Sequence, residues 1–182
     1  MRAILDAAAE EFGAAGYYEA GITRICQRAG VATGSFYTYF ESKEAVFRAL
    51  VADMSRQMRE HVAPHILAAP DRLAGERAGI AAFIGFVRHH KAMYRIIDES
   101  AFVAEDAYRR HYVEIAEGYA HSLTQAFGGG EISDGDMMVR AWAIMGMNVF
   151  LGLRFGVWDE SMSPDAVAEV AARLIGEGLR PR

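Results

Sequence analysis

The sequence has little cysteine and no surplus of positive charge. Its single cysteine, Cys26, excludes a disulfide within the chain and any zinc or iron–sulfur site built from clustered cysteines. With no visible signal peptide, this composition predicts a location in the reducing cytoplasm. The 19 Lys and Arg residues against 24 Asp and Glu give a net charge of −5. That balance excludes a protein coated all over with nucleic-acid-binding charge, but it allows a small DNA-reading surface.

The sequence also lacks the pattern of a β-strand, because no segment alternates polar and apolar residues for long enough. Helical periodicity runs through nearly the whole chain instead. Apolar residues make up 52% of the sequence, which is enough for a sizeable core. We therefore predict an all-α fold of about nine helices.

No run of residues has the length and composition of a clear membrane span. The most apolar stretch, 141–157, contains Asn148 and Arg154. It is shorter than the roughly 20 residues that a span needs, and an arginine is costly at the centre of a bilayer. We expect a buried or subunit-interface helix there, and no membrane partner.

Motifs for catalysis and for metal or cofactor binding are missing as well. His61 and His65 have a spacing that can hold a metal on a helix, but Pro64 between them disturbs that geometry. The glycine run 128–130 is not followed by the Lys-Ser/Thr pair of a phosphate-binding loop. We expect no catalytic residue, no metal and no cofactor, so the protein is predicted not to be an enzyme.

The helical pattern changes near residue 50. Residues 1–50 hold three short helical units joined by tight turns, and residues 51–182 hold longer helices with more methionine and bulky aromatics. A long helix with Ser42 as its N-cap bridges the two parts until Pro64 breaks or kinks it. We predict a helix-turn-helix domain over 1–50 and a larger helical domain over 51–182.

The segment 21–43 is typical of a helix-turn-helix. A first short helix ends at Gly30, which supplies a left-handed backbone for a tight turn, and a second short helix follows. Such a unit can place its second helix in the major groove of DNA.

The second helix carries an unusual surface for this purpose. The small residues 33–35 permit close approach to bases and phosphates, and Tyr37 and Tyr39 offer hydroxyl groups to phosphate. The alternative is an aromatic core stripe, and Phe36 and Phe40 fit that alternative well. Tyr37 and Tyr39 do not share the face of these two phenylalanines, so we expect them to contact DNA.

The whole pattern from residue 4 to residue 50 resembles the DNA-binding domain of the TetR family. The matching residues are Ile4-Leu5-Asp6-Ala7-Ala8, Phe12, Gly16-Tyr17, Ile22, Ile25, Ala29-Gly30-Val31, Gly34-Ser35-Phe36-Tyr37, Tyr39-Phe40 and Ser42-Lys43-Glu44. The resemblance implies a transcriptional regulator that binds double-stranded operator DNA as a homodimer and responds to a small-molecule effector. It also implies the site residues: Thr33, Gly34 and Ser35 face bases, Tyr37, Tyr39 and Lys43 contact phosphate, and Thr38 lies between them.

The sequence departs from the family pattern at three positions of this unit. Gly21 and Ala32 replace the usual Ser or Thr, and Thr33 replaces a frequent Lys or Arg. Residues 1–50 carry five cationic and six acidic side chains, a net of 5 − 6 = −1. The family usually has a basic arm before its first helix, whereas this sequence starts almost at that helix. Unless a basic arm precedes the given sequence, we expect weak DNA binding by one helix-turn-helix domain, rescued by pairing two such domains in a dimer, and a modest salt dependence.

The larger domain is expected to supply the dimer interface and an effector pocket. The segment 141–157 is apolar nearly all round and, with the last helix, favours a four-helix interface; the alternative is a central helix of a monomer core. Large, partly polar side chains suit an apolar pocket with a few hydrogen-bonding tips, although ordinary core packing explains each one alone. The candidates are Tyr94, Phe102, Tyr112, Tyr119, Trp142 and Met145. They suggest an apolar or aromatic effector, with a long-chain acyl thioester as one possibility.

Two functions remain open from the sequence. The preferred one is a ligand-responsive regulator, most simply a repressor that the effector releases from its operator. The alternative is an all-helical enzyme or a carrier of hydrophobic molecules, in which the N-terminal bundle is only structural. The surface from Gly34 to Lys43 favours the regulator, because an enzyme has no evident need for it.

Overall fold

The computed structural model describes residues 1–179, which form nine α-helices and one π-helical segment and contain no strand. The prediction of an all-α fold with about nine helices is confirmed. The helices are α1 (Arg2–Glu19), α2 (Ile22–Ala29), α3 (Thr33–Tyr39), α4 (Lys43–Leu67), α5 (Arg72–His89), α6 (Ala92–Val103), α7 (Glu105–Gly128), α8 (Met137–Gly152), the π-helix (Leu153–Trp158) and α9 (Pro164–Leu179).

Two serine side chains cap helices by hydrogen bonds, and the one at Ser42 was predicted from the sequence. The Ala45 amide donates to Ser42 Oγ at 3.0 Å, and the Ala166 amide donates to Ser163 Oγ at 3.2 Å. Each hydroxyl therefore satisfies an amide in the first turn of its helix. Gly30 ends α2 in the left-handed conformation, with φ 66° and ψ 31°.

Two helices differ from their predicted extents. α4 continues through Pro64 to Leu67 rather than ending at the proline. The apolar segment 141–157, expected as one helix, is divided: α8 ends at Gly152 and the π-helix follows. There Gly156 lies so close to α5 that a Cβ would be 2.6 Å from Val87 Cγ1. Arg88 Nη2 also donates to the Phe155 carbonyl at 2.9 Å, which satisfies a backbone group that the change of helix type leaves exposed.

Packing divides the described chain into two compact units. The first unit combines Met1–Arg56 with Lys91–Tyr112, and the second combines Gln57–His90 with the described residues from Val113 onward. α6 therefore packs with the N-terminal helices, although it lies far from them in sequence. The functional division at residue 50 stays a prediction.

The core of the first unit is aromatic. Phe12, Phe36 and Phe47 are fully buried, and the Phe12 and Phe47 rings meet edge to face with their centroids 4.9 Å apart. Phe36 and Phe40, the pair expected for a core stripe, lie 5.8 Å apart by ring centroid. The inner face of α3 is thus held by packing, which leaves its other face free.

The core of the second unit is aliphatic and brings together α5, α7, α8 and α9. Ile84, Leu123 and Ala141 are at most about 1% exposed within it. One segment of the described chain, Met137–Trp158, is long and apolar enough by composition to cross a membrane, which alone is weak evidence. Only 28% of its most apolar window is buried within the single chain.

Candidate nucleic-acid interface

The turn between α2 and α3 is fixed by backbone hydrogen bonds. The Gly30 amide donates to Gln27 O at 3.3 Å, and the Val31 amide donates to Cys26 O at 3.0 Å. With Gly30 at positive φ, this arrangement satisfies the last carbonyls of α2 and turns the chain towards α3. Ile25 and Cys26 are buried beneath the turn, so its geometry is anchored in the core.

The outer face of α3 is exposed and carries no formal charge. Six predicted DNA-contact residues are all exposed: Thr33, Gly34, Ser35, Tyr37, Thr38 and Tyr39. The rings of Tyr37 and Tyr39 are 53% and 55% exposed, while Phe36 and Phe40 point into the core. The structure therefore brings these six residues together on one short helix.

Nothing within the chain requires residue 34 to be a glycine. A Cβ built on Gly34 would meet nothing within 4 Å. A glycine inside a helix is less favourable than alanine by roughly 1 kcal/mol. Its presence on this surface is consistent with close approach by an external partner.

Glu11 organises the start of α2 and is a residue that sequence reasoning missed. Its side chain is only 3% exposed, its Oε1 accepts from the Gly21 amide at 3.3 Å and from Arg24 Nε, and its Oε2 accepts from Arg28 Nε at 3.2 Å. The contact to the Gly21 amide ties α1 to the first residue before α2, where no side-chain cap is present. No sequence signal distinguished Glu11 from the solvated acidic residues beside it.

Lys43 has an intramolecular role besides the predicted phosphate contact. Its Nζ donates to the carbonyls of Tyr17, Tyr18 and Ala20 at 2.8, 3.2 and 3.0 Å, and it lies 4.6 Å from the centroid of the Tyr17 ring. The ammonium group therefore caps the C-terminal end of α1. The phosphate contact of Lys43 stays a prediction.

Every cation in residues 1–50 has an acceptor inside the first unit. Arg2 pairs with Asp53 at 2.6 Å, and Lys43 caps α1. Arg24, Arg28 and Arg48 pair with Glu11, Glu10 and Glu44 respectively. The outer face of α3 thus exposes hydroxyl groups and backbone, while the cations of residues 1–50 are committed to internal partners.

Three of the predicted ligand residues lie in the first unit. Phe102 is 88% exposed, so it lines no enclosed cavity within that unit, and Tyr94 is half-buried. Burial, assisted by the neighbouring Tyr108, raises the pKa of Tyr112 to about 12. The rings of Tyr108 and Tyr112 meet edge to face, with their centroids 5.0 Å apart.

The other three lie in the second unit. Met145 is buried, Trp142 is 44% exposed, and partly buried Tyr119 donates its hydroxyl to the Glu76 carboxylate. Burial and that carboxylate raise the pKa of Tyr119 above its ordinary value. Buried Arg72 completes this polar cluster, with Nη2 at 2.5 Å from Glu76 Oε1. Arg72 and Glu76 were missed, because charged residues four apart on a helix usually indicate a solvated face.

A groove of about 880 Å³ also lies in the second unit, and none of the six predicted ligand residues lines it. It is lined by the end of α4, residues 68–70, α5 and α9; seven of the sixteen lining residues are alanines, and Arg77 and Glu169 are among the charged ones. These two charged residues form an exposed ion pair at 3.0 Å.

The helix-turn-helix unit matches a known family. Residues 4–50 fit the family described as bacterial regulatory proteins, tetR family. Residues 4–50 are therefore a DNA-binding domain of the TetR type. This confirms the resemblance that the sequence suggested, and the TetR family is one of transcription regulators rather than enzymes.

Curated regulators of the helix-turn-helix type are similar to part of the chain. The regulator YdgC of Bacillus subtilis is 42% identical over 57 residues, covering 31% of this chain and 29% of the relative. The activator FasR of Mycolicibacterium smegmatis is 32% identical over 102 residues, or 56% and 47% of the two chains. The regulator BetI of Klebsiella pneumoniae is 33% identical over 84 residues, or 46% and 42%. The chain spans less than half the length of these relatives.

Solved structures share the fold over the full chain. The transcriptional regulator FadR of Bacillus subtilis, solved in complex with stearoyl-CoA, has a TM-score of 0.85 at 20% identity and covers 97% of this chain and 98% of its own. The fatty acid degradation regulator FadR of Bacillus halodurans has a TM-score of 0.84 at 19% identity, with 100% and 96% covered. At these identities the likeness establishes the fold.

Proposed function

We propose that this TetR-family regulator is a homodimeric repressor that leaves its operator when it binds a long-chain acyl thioester. The observation that carries the DNA-binding part is the exposed outer face of α3, which joins six predicted contact residues on the family's reading helix. A cytoplasmic location follows for a protein that acts on bacterial operators.

The DNA surface is suited to reading by shape and hydrogen bonding. Tyr37 and Tyr39 present hydroxyl groups at the end of α3, where they can donate to phosphate oxygens, and Thr33 and Ser35 present small hydroxyls near base edges. The packed Phe36 and Phe40 hold the helix so that these groups keep one orientation.

The second unit carries an apolar face that supports a dimer. On α8, Val139, Trp142 and Phe150 are 64%, 44% and 72% exposed, and their spacing places them on one side of the helix. On α9, Val170 and Leu174 are each 66% exposed and four residues apart. A second copy of the chain would cover both helices, and a two-fold dimer would present two reading helices to successive major grooves about 34 Å apart.

The choice of effector is supported by the relatives and by the predicted pocket residues. The FadR protein with the same fold was solved with stearoyl-CoA. A long acyl chain needs apolar surface, and a thioester and its carrier need a few hydrogen-bonding groups. Within the second unit, Tyr119 offers both kinds of surface, because its ring packs against the apolar core and its hydroxyl can form hydrogen bonds.

Selection of operator duplexes from a random DNA library by the purified protein tests the DNA-binding part. The selected duplex is expected to be bound by the wild type and about tenfold or more weakly by a Tyr37→Phe, Tyr39→Phe double variant, because each loss removes a phosphate hydrogen bond. Tyr18→Phe is the matched control, since Tyr18 is 75% exposed in the same unit but lies outside α3. Failure to enrich any duplex, or equal binding by all three proteins, contradicts the proposal.

Stearoyl-CoA added to the protein–operator complex tests the effector. Release of DNA at micromolar stearoyl-CoA, together with a one-to-one adduct in native mass spectrometry, is the expected result. Coenzyme A alone is the control, because it lacks the acyl chain. Binding without release, or chemical turnover of the thioester, would instead favour a carrier or an enzyme.

A further inference from the structure

The end of α1 contains a break that only glycine adopts easily. Gly16 has φ +79° and ψ 168°, which is not helical, although the helix resumes and runs on to Glu19. A break of this kind leaves backbone N–H and C=O groups on its two sides without their helical partners. These groups need acceptors and donors from elsewhere, because Gly16 is buried.

α6 supplies those partners through one ion pair. Glu99 Oε2 accepts from the Tyr17 amide at 2.7 Å, just after the break. Arg95 Nη1 donates to the carbonyls of Gly13 and Ala14 at 3.3 and 3.0 Å, just before it. Arg95 Nε and Glu99 Oε1 lie 3.1 Å apart, so the two side chains also hold each other. The Arg95–Glu99 pair thus supplies hydrogen-bond partners to the backbone on both sides of the break.

α6 packs so closely against α1 that a side chain at either glycine of the contact would clash with it. A Cβ at Gly16 would lie 2.5 Å from Arg95 Nη2 and 2.7 Å from Glu99 Oε1. A Cβ at Gly13 would lie 2.5 Å from the Cβ of Ala92, at the start of α6. The two helices therefore touch at two glycines, and a shift of α6 along α1 would break either the contact or the hydrogen bonds.

The broken segment also holds the helix-turn-helix. Lys43, at the start of α4, caps the carbonyls of Tyr17, Tyr18 and Ala20. Glu11, one turn before the break, holds the amide of Gly21 at the start of α2. A shift of this segment would therefore displace α2 and, through the turn at Gly30, also α3.

We propose that Arg95 and Glu99 are positioning residues that set the orientation of α3 by holding the backbone on both sides of the break at Gly16. Neither side chain lies on α3. The part of this inference that concerns DNA binding rests on the proposed function as an operator-binding protein.

Two variants that remove the hydrogen bonds test the inference: Arg95→Met and Glu99→Met. Amide hydrogen exchange is expected to become at least tenfold faster in residues 13–20 and also in residues 22–39, with the helical circular dichroism unchanged. Affinity for the selected operator duplex is expected to fall at least tenfold. The slope of log affinity against log salt should stay constant, because neither residue contacts phosphate.

The controls separate positioning from loss of an ordinary surface ion pair. Arg109 and Glu105 on α7 belong to the same unit, have the same spacing of four, and lie 2.7 Å apart with both side chains exposed. Arg109→Met and Glu105→Met should change neither exchange nor affinity. Arg95→Lys and Glu99→Gln keep a donor and an acceptor, so they should recover much of the affinity if folding limits the first pair of variants.

Three results would contradict either the coupling of α6 to α3 or the proposed function. Unchanged exchange in residues 22–39 overturns the coupling, even when the segment 13–20 itself loosens. Faster exchange with unaltered operator affinity also overturns it. A wild type that binds no duplex contradicts the proposed function, while the exchange measurement still decides whether α6 positions α3.

Discussion

Glu11 shows how a buried acidic side chain can stabilise the helix-turn-helix domain. Burial by itself acts to raise the pKa of Glu11, but hydrogen bonds from Arg24, the Gly21 amide and Arg28 outweigh it and hold the pKa below its ordinary value of 4.5. The folded state therefore favours the ionised carboxylate more than the unfolded state does. Its stabilising contribution is complete above about pH 4.5 and is lost as the pH falls through the folded-state pKa.

Glu11→Gln is expected to lower the free energy of unfolding by about 1–3 kcal/mol at pH 7, because the partner arginines lose a charged acceptor. The difference between variant and wild type should begin to shrink below about pH 4.5, where the carboxylate is protonated in the unfolded state, and should vanish once the pH has fallen through the lower folded-state pKa. Urea unfolding at a series of pH values measures it. Glu10→Gln is the control, since Glu10 is exposed and its pair with Arg28 contributes little. A difference that stays constant down to pH 3 contradicts this account.

Gly34→Ala is expected to have opposite effects on stability and on DNA binding. Because a Cβ there meets nothing within the chain, helix propensity should raise the free energy of unfolding by about 0.5–1 kcal/mol. The same methyl group should reduce operator affinity about tenfold, since it separates α3 from the bases. Thermal unfolding and operator titration measure the two effects. Gly118→Ala on α7, where a Cβ also meets nothing, should stabilise without altering DNA binding.

At the scale of single elements, α3 lacks formal charge and the cations around it are committed to internal partners. Salt dependence of binding reports how many cations meet phosphate, with a slope near −0.9 for each. For one head we expect log affinity to fall by no more than about three units per tenfold rise in salt. Titration of operator binding between low and physiological salt measures the slope. A slope steeper than about −5 per head shows that the arginines leave their partners to bind DNA.

Lys43→Met distinguishes the two roles of that side chain within the same titration. Loss of the cap on α1 should weaken DNA binding and lower the melting temperature with the slope unchanged. Loss of a phosphate contact should make the slope shallower by about 0.9. Arg48→Met, whose side chain pairs with Glu44 in the same helix, is the matched control for removal of a cation.

The helices themselves were largely predictable, for local reasons. A left-handed glycine at position 30 and serine caps at 42 and 163 act within one turn of the backbone, so their effect is readable from the sequence. The π-helix after α8 was not predictable, because it depends on Gly156 meeting Val87 of another helix. Likewise α4 keeps its helical form through Pro64, against a local preference that would end it.

At the scale of the whole molecule, the exposed apolar face of α8 and α9 predicts a dimer. Val170→Glu combined with Leu174→Glu should prevent association, because each places a charge where a second copy would exclude water. Sedimentation equilibrium should show a monomer, and operator affinity should fall by about 100-fold or more with the loss of two-headed binding. Leu67→Glu is the control, since Leu67 is 81% exposed in the same chain but lies on α4. A variant that remains dimeric moves the interface elsewhere.

Local periodicity, turn glycines and a dense run of matching residues over 4–50 were enough to predict the all-α class, the position of the helix-turn-helix and its TetR type. The sequence also separated the outer residues of α3 from its buried phenylalanines, since a helix face repeats every three to four positions. Three features became visible only in the folded chain: α6 packs in the N-terminal unit, Glu11 and Lys43 hold the ends of α1 and α2 in place, and Arg95 and Glu99 supply hydrogen bonds to the backbone at the break at Gly16. Each of those contacts joins residues 10 to 82 positions apart, and their pairing depends on packing that no local pattern records.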